Sequence, residues 1–151
     1  MENINWSELG FGYLKTNANV RCEYHNGKWG ELELHTDETI NMHMAATCLH
    51  YGQEAFEGLK AYRCPDGKVR VFRVEENAAR LQSTCRGILM PEVPTELFKE
   101  MVSKVVRLNQ EYIPTYESGA TLYIRHLLIG IPTQVRVQPP MVYLFLIFVT
   151  P

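Results

Sequence analysis

Two side chains that could bind an anion lie two positions apart in the second half of the chain. Tyr123 and Arg125 fall within residues 120–130, where apolar residues alternate as in a β-strand. Residues two apart on a strand project to the same face of a sheet. A phenol beside a guanidinium suits a carboxylate or a phosphate, because arginine offers a planar fork of donors. The alternative is an exposed edge where the arginine covers the tyrosine ring, and the residues alone leave both interpretations open.

A second concentration of polar and aromatic side chains occupies residues 49–63. The spacing of Tyr51, Ala55 and Gly58 predicts a short helix that ends at the glycine. From Leu59 onward the apolar period becomes two, which predicts a strand. A surface helix followed by an edge strand would also explain this composition. The sequence contains no phosphate-binding glycine loop, paired-carboxylate motif or nucleophile–base pair that would decide between the two interpretations.

Two hairpins and two later strands supply a sheet that could position these groups. Asn26-Gly27 predicts a tight turn between strands at 20–25 and 28–34, since both residues accept a positive φ. Pro65-Asp66-Gly67 predicts a second turn, between strands at 59–63 and 68–73. Residues 120–130 and the apolar run 141–149 complete the sheet.

Two amphipathic helices are predicted between the hairpins and the late strands. The first carries Glu75 and Glu76 in its first turn and ends at Met90. The second begins with Thr95 as N-cap and extends to Pro114. We therefore predict an α+β fold, a mostly antiparallel sheet with two main helices packed on it.

Composition favours one folded domain and excludes several classes of partner. The chain has 151 residues, a net charge of −2 and 46% hydrophobic residues, enough for a real core. This balance gives no reason to expect nucleic acid. The run 141–149 is about half the length of a membrane-spanning helix, so no membrane partner is expected either.

The four cysteines and five histidines do not form a recognisable metal site. No C-x-x-C pair occurs, and the histidines lack a metal-ligand spacing, so we expect no metal. The N-terminus lacks the features of a signal peptide, which favours reduced thiols and a cytoplasmic location.

The last residues, 144–151, are an apolar strand. A domain rarely ends inside a buried strand, because the final backbone groups need neighbours. We therefore expect residues 1–151 to be one part of a longer protein.

Four motifs follow one another along the chain: Leu49-His50-Tyr51-Gly52-Gln53; Phe56-Glu57-Gly58-Leu59-Lys60-Ala61-Tyr62-Arg63; Phe72-Arg73 with Asn77, Arg80 and Leu81; and Leu122-Tyr123-Ile124-Arg125. Together they resemble the branched-chain aminotransferases, which are fold-type IV pyridoxal-phosphate enzymes. The resemblance extends from about Trp6 to the C-terminus. It implies the N-terminal small domain of the D-amino acid aminotransferase-like fold, in a two-domain aminotransferase whose cofactor-lysine domain lies outside this chain.

The resemblance implies roles for residues that the spacing alone would leave unassigned. Arg80 matches the arginine that binds the phosphate of pyridoxal 5'-phosphate, although by itself it would be a surface residue. Phe56 and Tyr123 match aromatics that line the pocket for a branched side chain, and Phe11 is implied in the same pocket. Arg125 matches the arginine near the substrate carboxylate.

Tyr51 matches a tyrosine that reaches into the neighbouring subunit's active site, which implies a homodimer with shared sites. Two positions depart from the family pattern, because His126 and Val74 stand where proline is common. None of the chain's lysines matches the Schiff-base lysine motif of the family, so no catalytic residue is assigned here.

The resemblance implies a transaminase that moves the amino group of leucine, isoleucine or valine to 2-oxoglutarate, with this part alone inactive. One alternative is another fold-type IV enzyme, a D-amino acid aminotransferase or an aminodeoxychorismate lyase. A second alternative is a binding or dimerisation module without catalysis.

Overall fold

The computed structural model describes residues 4–6, 10 and 12–151. These residues form a seven-stranded sheet in which every pair of neighbouring strands is antiparallel. The strand order is β2-β1-β7-β6-β4-β5, and β3 also pairs with β1. The strands are β1 (Asn19–His25), β2 (Lys28–Trp29), β3 (Glu33–His35), β4 (Glu54–Arg63), β5 (Val69–Val71), β6 (Leu122–Gly130) and β7 (Val142–Thr150).

Three α-helices accompany the sheet in the described part of the chain. They are α1 (Thr47–Tyr51), α2 (Val74–Gly87) and α3 (Thr95–Leu108), and short 3₁₀ helices cover Gln110–Tyr112 and Tyr116–Ser118. Helix α2 packs on β4, while α3 packs on β1 and β7. The α+β class is therefore confirmed.

The main core lies between the sheet and the two long helices. Leu81 and Cys85 of α2 and Phe98 of α3 are buried in one cluster with Ile124 and Ile147 of the sheet. The alternation of each strand decides which residues enter this core, because successive side chains point to opposite faces.

The opposite face of the sheet has a smaller apolar cluster. Ile129, Leu144 and Leu146 are buried there beneath Ile40 and Met42, which belong to the connector before α1. Phe148 and Leu127 extend this face and remain partly exposed.

The predicted helix through Gly58 is wrong. Helix α1 ends at Tyr51, Gly52 follows with φ 61°, and β4 begins at Glu54. Residues 54–61 pair continuously with residues 122–129 of β6. Ladder hydrogen bonds and burial of alternate residues such as Ala55 and Leu59 outweigh the local helical spacing.

The predicted boundaries of the two long helices are also partly wrong. Helix α2 ends at Gly87, before Met90, and Thr95 is the first residue of α3 with Pro94 at the cap position. Helix α3 ends at Leu108, well before Pro114, because the buried Asn109 binds the backbone of residues 17 and 18. Its side chain accepts a hydrogen bond from the backbone of residue 17 (2.9 Å) and donates one to the carbonyl of residue 18 (2.9 Å).

The two predicted hairpins are present. Asn26 and Gly27 both have positive φ at the β1–β2 turn, and Gly67 does at the β4–β5 turn. The partner strand of the first hairpin is divided into β2 and β3, where the prediction had one continuous strand.

Candidate active site

The guanidinium of Arg125 lies over two aromatic rings on the sheet face that α2 and α3 leave uncovered. Its guanidinium carbon is 4.7 Å from the ring centroid of Phe56 and 5.2 Å from that of Tyr123. Phe56 is 65% exposed, whereas Tyr123 and Arg125 are half-buried. This arginine–aromatic cluster (Phe56, Tyr123 and Arg125) unites three of the predicted substrate-binding residues.

The cluster leaves the hydrogen-bonding edge of the guanidinium open. Among the described residues, no carboxylate pairs with Arg125, and its N–H groups have no hydrogen-bond acceptor. Aromatic faces stabilise a cation without consuming its donors. The guanidinium of Arg125 lies over the Tyr123 ring, but β6 lies between β7 and β4, so the predicted exposed edge is wrong. Anion binding by Tyr123 and Arg125 stays a prediction.

Gly58 makes room for the ring of Tyr123. A Cβ at this glycine would overlap the Tyr123 Oη and lie 2.9 Å from its Cζ. Gly58 also pairs in register with Arg125 of β6. The sequence analysis assigned Gly58 to the end of a helix. A glycine inside an alternating strand is the signal that would have indicated the close approach of another side chain, here that of Tyr123.

Arg80 lies on the helix-covered side of the sheet, bound to Glu57. The Nε of Arg80 donates to Glu57 Oε2 over 2.7 Å, and Nη2 donates to Oε1. Asn77 Nδ2 and the backbone N–H of Gly58 also donate to this carboxylate, at 3.3 and 2.8 Å. Glu57 was not predicted as a site residue, although an acid at a buried position of an alternating strand is a detectable signal.

Glu57 and Arg80 each stabilise the charged form of the other. Burial raises the pKa of Glu57, but the hydrogen bonds from Arg80, Gly58 and Asn77 outweigh it, so the pKa is held below its ordinary value. The same pairing raises the pKa of Arg80. Arg80 therefore stays cationic while much of its side chain remains in solvent, which is a suitable arrangement for a phosphate.

The structure thus divides the predicted site between two faces of β4. Alternation sends Phe56 to the open face and Glu57, with Arg80, to the helix-covered face. The backbone of Gly58 joins the two groups, because its carbonyl accepts a hydrogen bond from Asn77 at 3.3 Å while its bare surface accommodates the Tyr123 ring.

Tyr51 does not join the arginine–aromatic cluster. It is the last residue of α1, is 40% exposed, and its hydroxyl donates a hydrogen bond to the carbonyl of Val135. The loop before β7 is held to the connector by a second bond, from Gln134 N to Ala45 O at 3.2 Å. Phe11, also predicted for the pocket, lies outside the described residues.

His126, which follows Arg125, points into the main core. It is fully buried and stacks on Phe98 with ring centroids 4.4 Å apart. Its Nδ1 lies 3.3 Å from the carbonyl oxygen of Glu57, whereas Nε2 has no partner among the described residues. Burial lowers the pKa of His126 to about 4, so the ring is neutral and Nδ1–H is the donor.

The described residues contain no cluster that could hold a metal ion. All four cysteines are free thiols. No helix in this part of the chain has the length and apolar character needed to cross a membrane.

The chain aligns over its whole length with a curated aminotransferase. It is 46% identical over 151 residues to the branched-chain-amino-acid aminotransferase of Haemophilus influenzae, an alignment that covers 100% of this chain and 44% of that protein. The chain belongs to the branched-chain aminotransferase family. It corresponds to the N-terminal part of such a protein and spans less than half of that relative's length.

The solved structures of this family share the fold of the chain. The branched-chain amino acid aminotransferase of Escherichia coli superposes with a TM-score of 0.70 at 24% identity, over 91% of this chain and 40% of that one. The T.th. branched-chain amino acid aminotransferase with pyridoxamine 5'-phosphate has a TM-score of 0.58 at 22% identity, over 84% of this chain and 39% of that one. No protein-family model matches the chain. The predicted resemblance to branched-chain aminotransferases is confirmed, while the roles of the individual site residues stay predictions.

Proposed function

We propose that the whole protein is a transaminase that moves the amino group of leucine, isoleucine or valine to 2-oxoglutarate with pyridoxal 5'-phosphate. The observation that carries the proposal is the arginine–aromatic cluster, in which Arg125 lies over the rings of Phe56 and Tyr123 and has no hydrogen-bond acceptor among the described residues. The membership of the chain in the branched-chain aminotransferase family supports it.

The cluster provides the two kinds of contact that such a substrate needs. In the proposed reaction, Arg125 donates hydrogen bonds to the α-carboxylate of the amino acid. The rings of Phe56 and Tyr123 offer an apolar surface to the branched side chain and keep water from it. The same contacts orient the 2-oxo acid, which shares the carboxylate.

The polar groups on the helix-covered side of β4 fit the phosphate of pyridoxal phosphate. Arg80 is cationic and 68% exposed, and its Nη1 has no acceptor among the described residues. When bound, this cofactor supplies the electron sink that transamination requires. The lysine that would attach it belongs, in this proposal, to a C-terminal domain beyond residues 1–151, of which this chain is the N-terminal small domain.

We further propose a homodimer in which Tyr51 serves the site of the other subunit. The separation of Tyr51 from the arginine–aromatic cluster supports this assignment. Its hydroxyl contacts the loop before β7, and its side chain is 40% exposed.

An assay of glutamate formation tests the proposal. The whole protein, given L-leucine, 2-oxoglutarate and pyridoxal phosphate, is expected to form glutamate, whereas residues 1–151 alone are expected to form none because the attaching lysine is missing. D-leucine serves as the control substrate and 2-oxoglutarate alone as the blank. Turnover by residues 1–151 would contradict the proposed division of the site, and a preference for D-leucine would favour the D-amino acid aminotransferase alternative.

A further inference from the structure

Glu57 is a buried carboxylate whose main partner is an exposed arginine. Its side chain is 4% exposed, and that of Arg80 is 68% exposed. A carboxylate in this position loses hydration, which costs free energy unless hydrogen bonds replace it. Four donor groups do so, from Arg80 (Nε and Nη2), Asn77 and the backbone of Gly58.

The geometry of the pair fixes the plane of the Arg80 guanidinium. Both oxygens of Glu57 are engaged by the Nε–Nη2 edge, which is the bidentate arrangement that restrains an arginine fork most strongly. The third nitrogen, Nη1, is left without an acceptor among the described residues. A flexible surface arginine would otherwise sample many rotamers and lose their entropy on binding an anion.

Glu57 is itself held from two directions. Asn77 on α2 donates to its carboxylate and to the carbonyl of Gly58, both at 3.3 Å. On the other side, His126 of β6 donates from Nδ1 to the carbonyl of Glu57. The backbone of Glu57 is thus held by the sheet, and its carboxylate is held by the helix that carries Arg80.

We propose that Glu57 is a positioning residue that orients Arg80 so that the free edge of its guanidinium binds the cofactor phosphate. This inference rests on the proposed role of pyridoxal phosphate in the whole protein. Glu57 does not touch the phosphate in this scheme, because a carboxylate would repel it; its effect passes through the arginine.

The test measures pyridoxal phosphate binding to variants of the whole protein. Glu57→Gln is expected to raise the dissociation constant about tenfold, because Gln loses the charge and places a donor against Arg80. In an Arg80→Lys background the same change is expected to alter the constant less than about twofold, since lysine has no planar fork to orient. Asp66→Asn is the matched control, because it breaks the exposed bidentate pair with Arg70, at 2.8 and 2.7 Å, away from the site.

Three outcomes would overturn the inference. Unchanged binding in Glu57→Gln would show that orientation by Glu57 is unnecessary. Equal weakening in the parent and in the Arg80→Lys background would show that Glu57 acts only on the fold. Unchanged binding in Arg80→Ala would remove the phosphate role of Arg80 and, with it, both this inference and that part of the proposed function.

A second variant keeps the test valid if Glu57→Gln does not fold. Asn77→Ala removes one donor to Glu57 without leaving a buried charge unpaired, because Arg80 remains. It is expected to raise the dissociation constant about threefold with Arg80 present and to have no effect in the Arg80→Lys background. An equal effect in both backgrounds would contradict the positioning role.

Discussion

The guanidinium of Arg125 is held by contacts that leave its donors free. Its central carbon lies over the rings of Phe56 and Tyr123, 4.7 and 5.2 Å from their centroids, and no described carboxylate pairs with it. Arg80 is restrained in the opposite way, by a carboxylate along one edge. The difference matches the two proposed ligands, because a substrate carboxylate exchanges in every turnover while a cofactor phosphate remains bound.

His126 permits a prediction about acid stability at the scale of one residue. Its pKa is lowered from 6.5 to about 4 by burial, so the unfolded chain binds more protons than the folded chain between these values. Above about pH 6.5 the ring is neutral in both states, and its titration does not change the free energy of unfolding. As the pH falls from 6.5 toward 4, the ring is protonated mainly in the unfolded state, so the free energy of unfolding decreases. Between about pH 7.5 and about pH 5 we expect a loss of about 2 kcal/mol from this residue.

Urea unfolding of His126→Gln at both pH values checks this prediction. Gln keeps a donor near the carbonyl of Glu57 but does not titrate, so the variant is expected to lose about 2 kcal/mol less than the parent on acidification. His50→Gln, at an exposed position of α1, is the control and should behave as the parent does. An equal acid loss in the parent and in His126→Gln would contradict a neutral buried histidine.

At the scale of elements, β4 carries groups of both halves of the proposed site. Its open face presents Phe56 and the bare surface of Gly58, and its other face presents Glu57. Because the faces alternate residue by residue, a shift of one position in the β4–β6 register would exchange them. The continuous pairing of residues 54–61 with β6 therefore maintains the site as well as the sheet.

Gly58→Ala tests the close approach of Tyr123 to β4. The new Cβ would overlap the Tyr123 Oη, so the ring must turn away from Arg125. We expect at least about a fivefold rise in KM for leucine in the whole protein, roughly 1 kcal/mol of lost binding. The melting temperature should change little, because the ring is a half-buried side chain that can move. Gly87→Ala, where nothing lies within 4 Å of the added Cβ, is the control, and equal KM values in the two variants would contradict the prediction.

On the scale of the whole molecule, the sheet has one face closed by α2 and α3 and another only partly covered. The connector before α1 covers Leu144 and Leu146, while Phe56 and Phe148 stay accessible. The chain spans 44% of its Haemophilus influenzae relative. In the proposed function, groups outside residues 1–151 complete the site at this open face, which carries the arginine–aromatic cluster.

Mixed dimers test the proposed sharing of the site between subunits. Tyr51→Phe and Arg125→Ala are each expected to reduce activity in the whole protein. A dimer with one subunit of each kind would contain one intact site, so random mixing after co-expression should restore up to about a quarter of the parent activity. Each variant expressed alone is the control. If mixing restores nothing, Tyr51 does not act across the subunit interface.

Several features could be predicted from the sequence because they depend on neighbouring residues. The turns at Asn26-Gly27 and Gly67 follow from residues that accept positive φ. Alternation in β6 placed Tyr123 and Arg125 on the same face of the sheet, as the structure has it. Four motifs in order were enough to indicate the family.

Only the tertiary structure decided the end of α1, the partners of Arg125 and the surroundings of Glu57. The pairing of β4 with β6 joins residues far apart in the chain; the contact of His126 with Glu57 spans 69 positions. Local spacing favours a helix through Gly58, but the free energy of a strand ladder and of core burial appears only when the distant strand is present. By itself the sequence determined the kind of groups at the site, and the long-range register determined which of them meet.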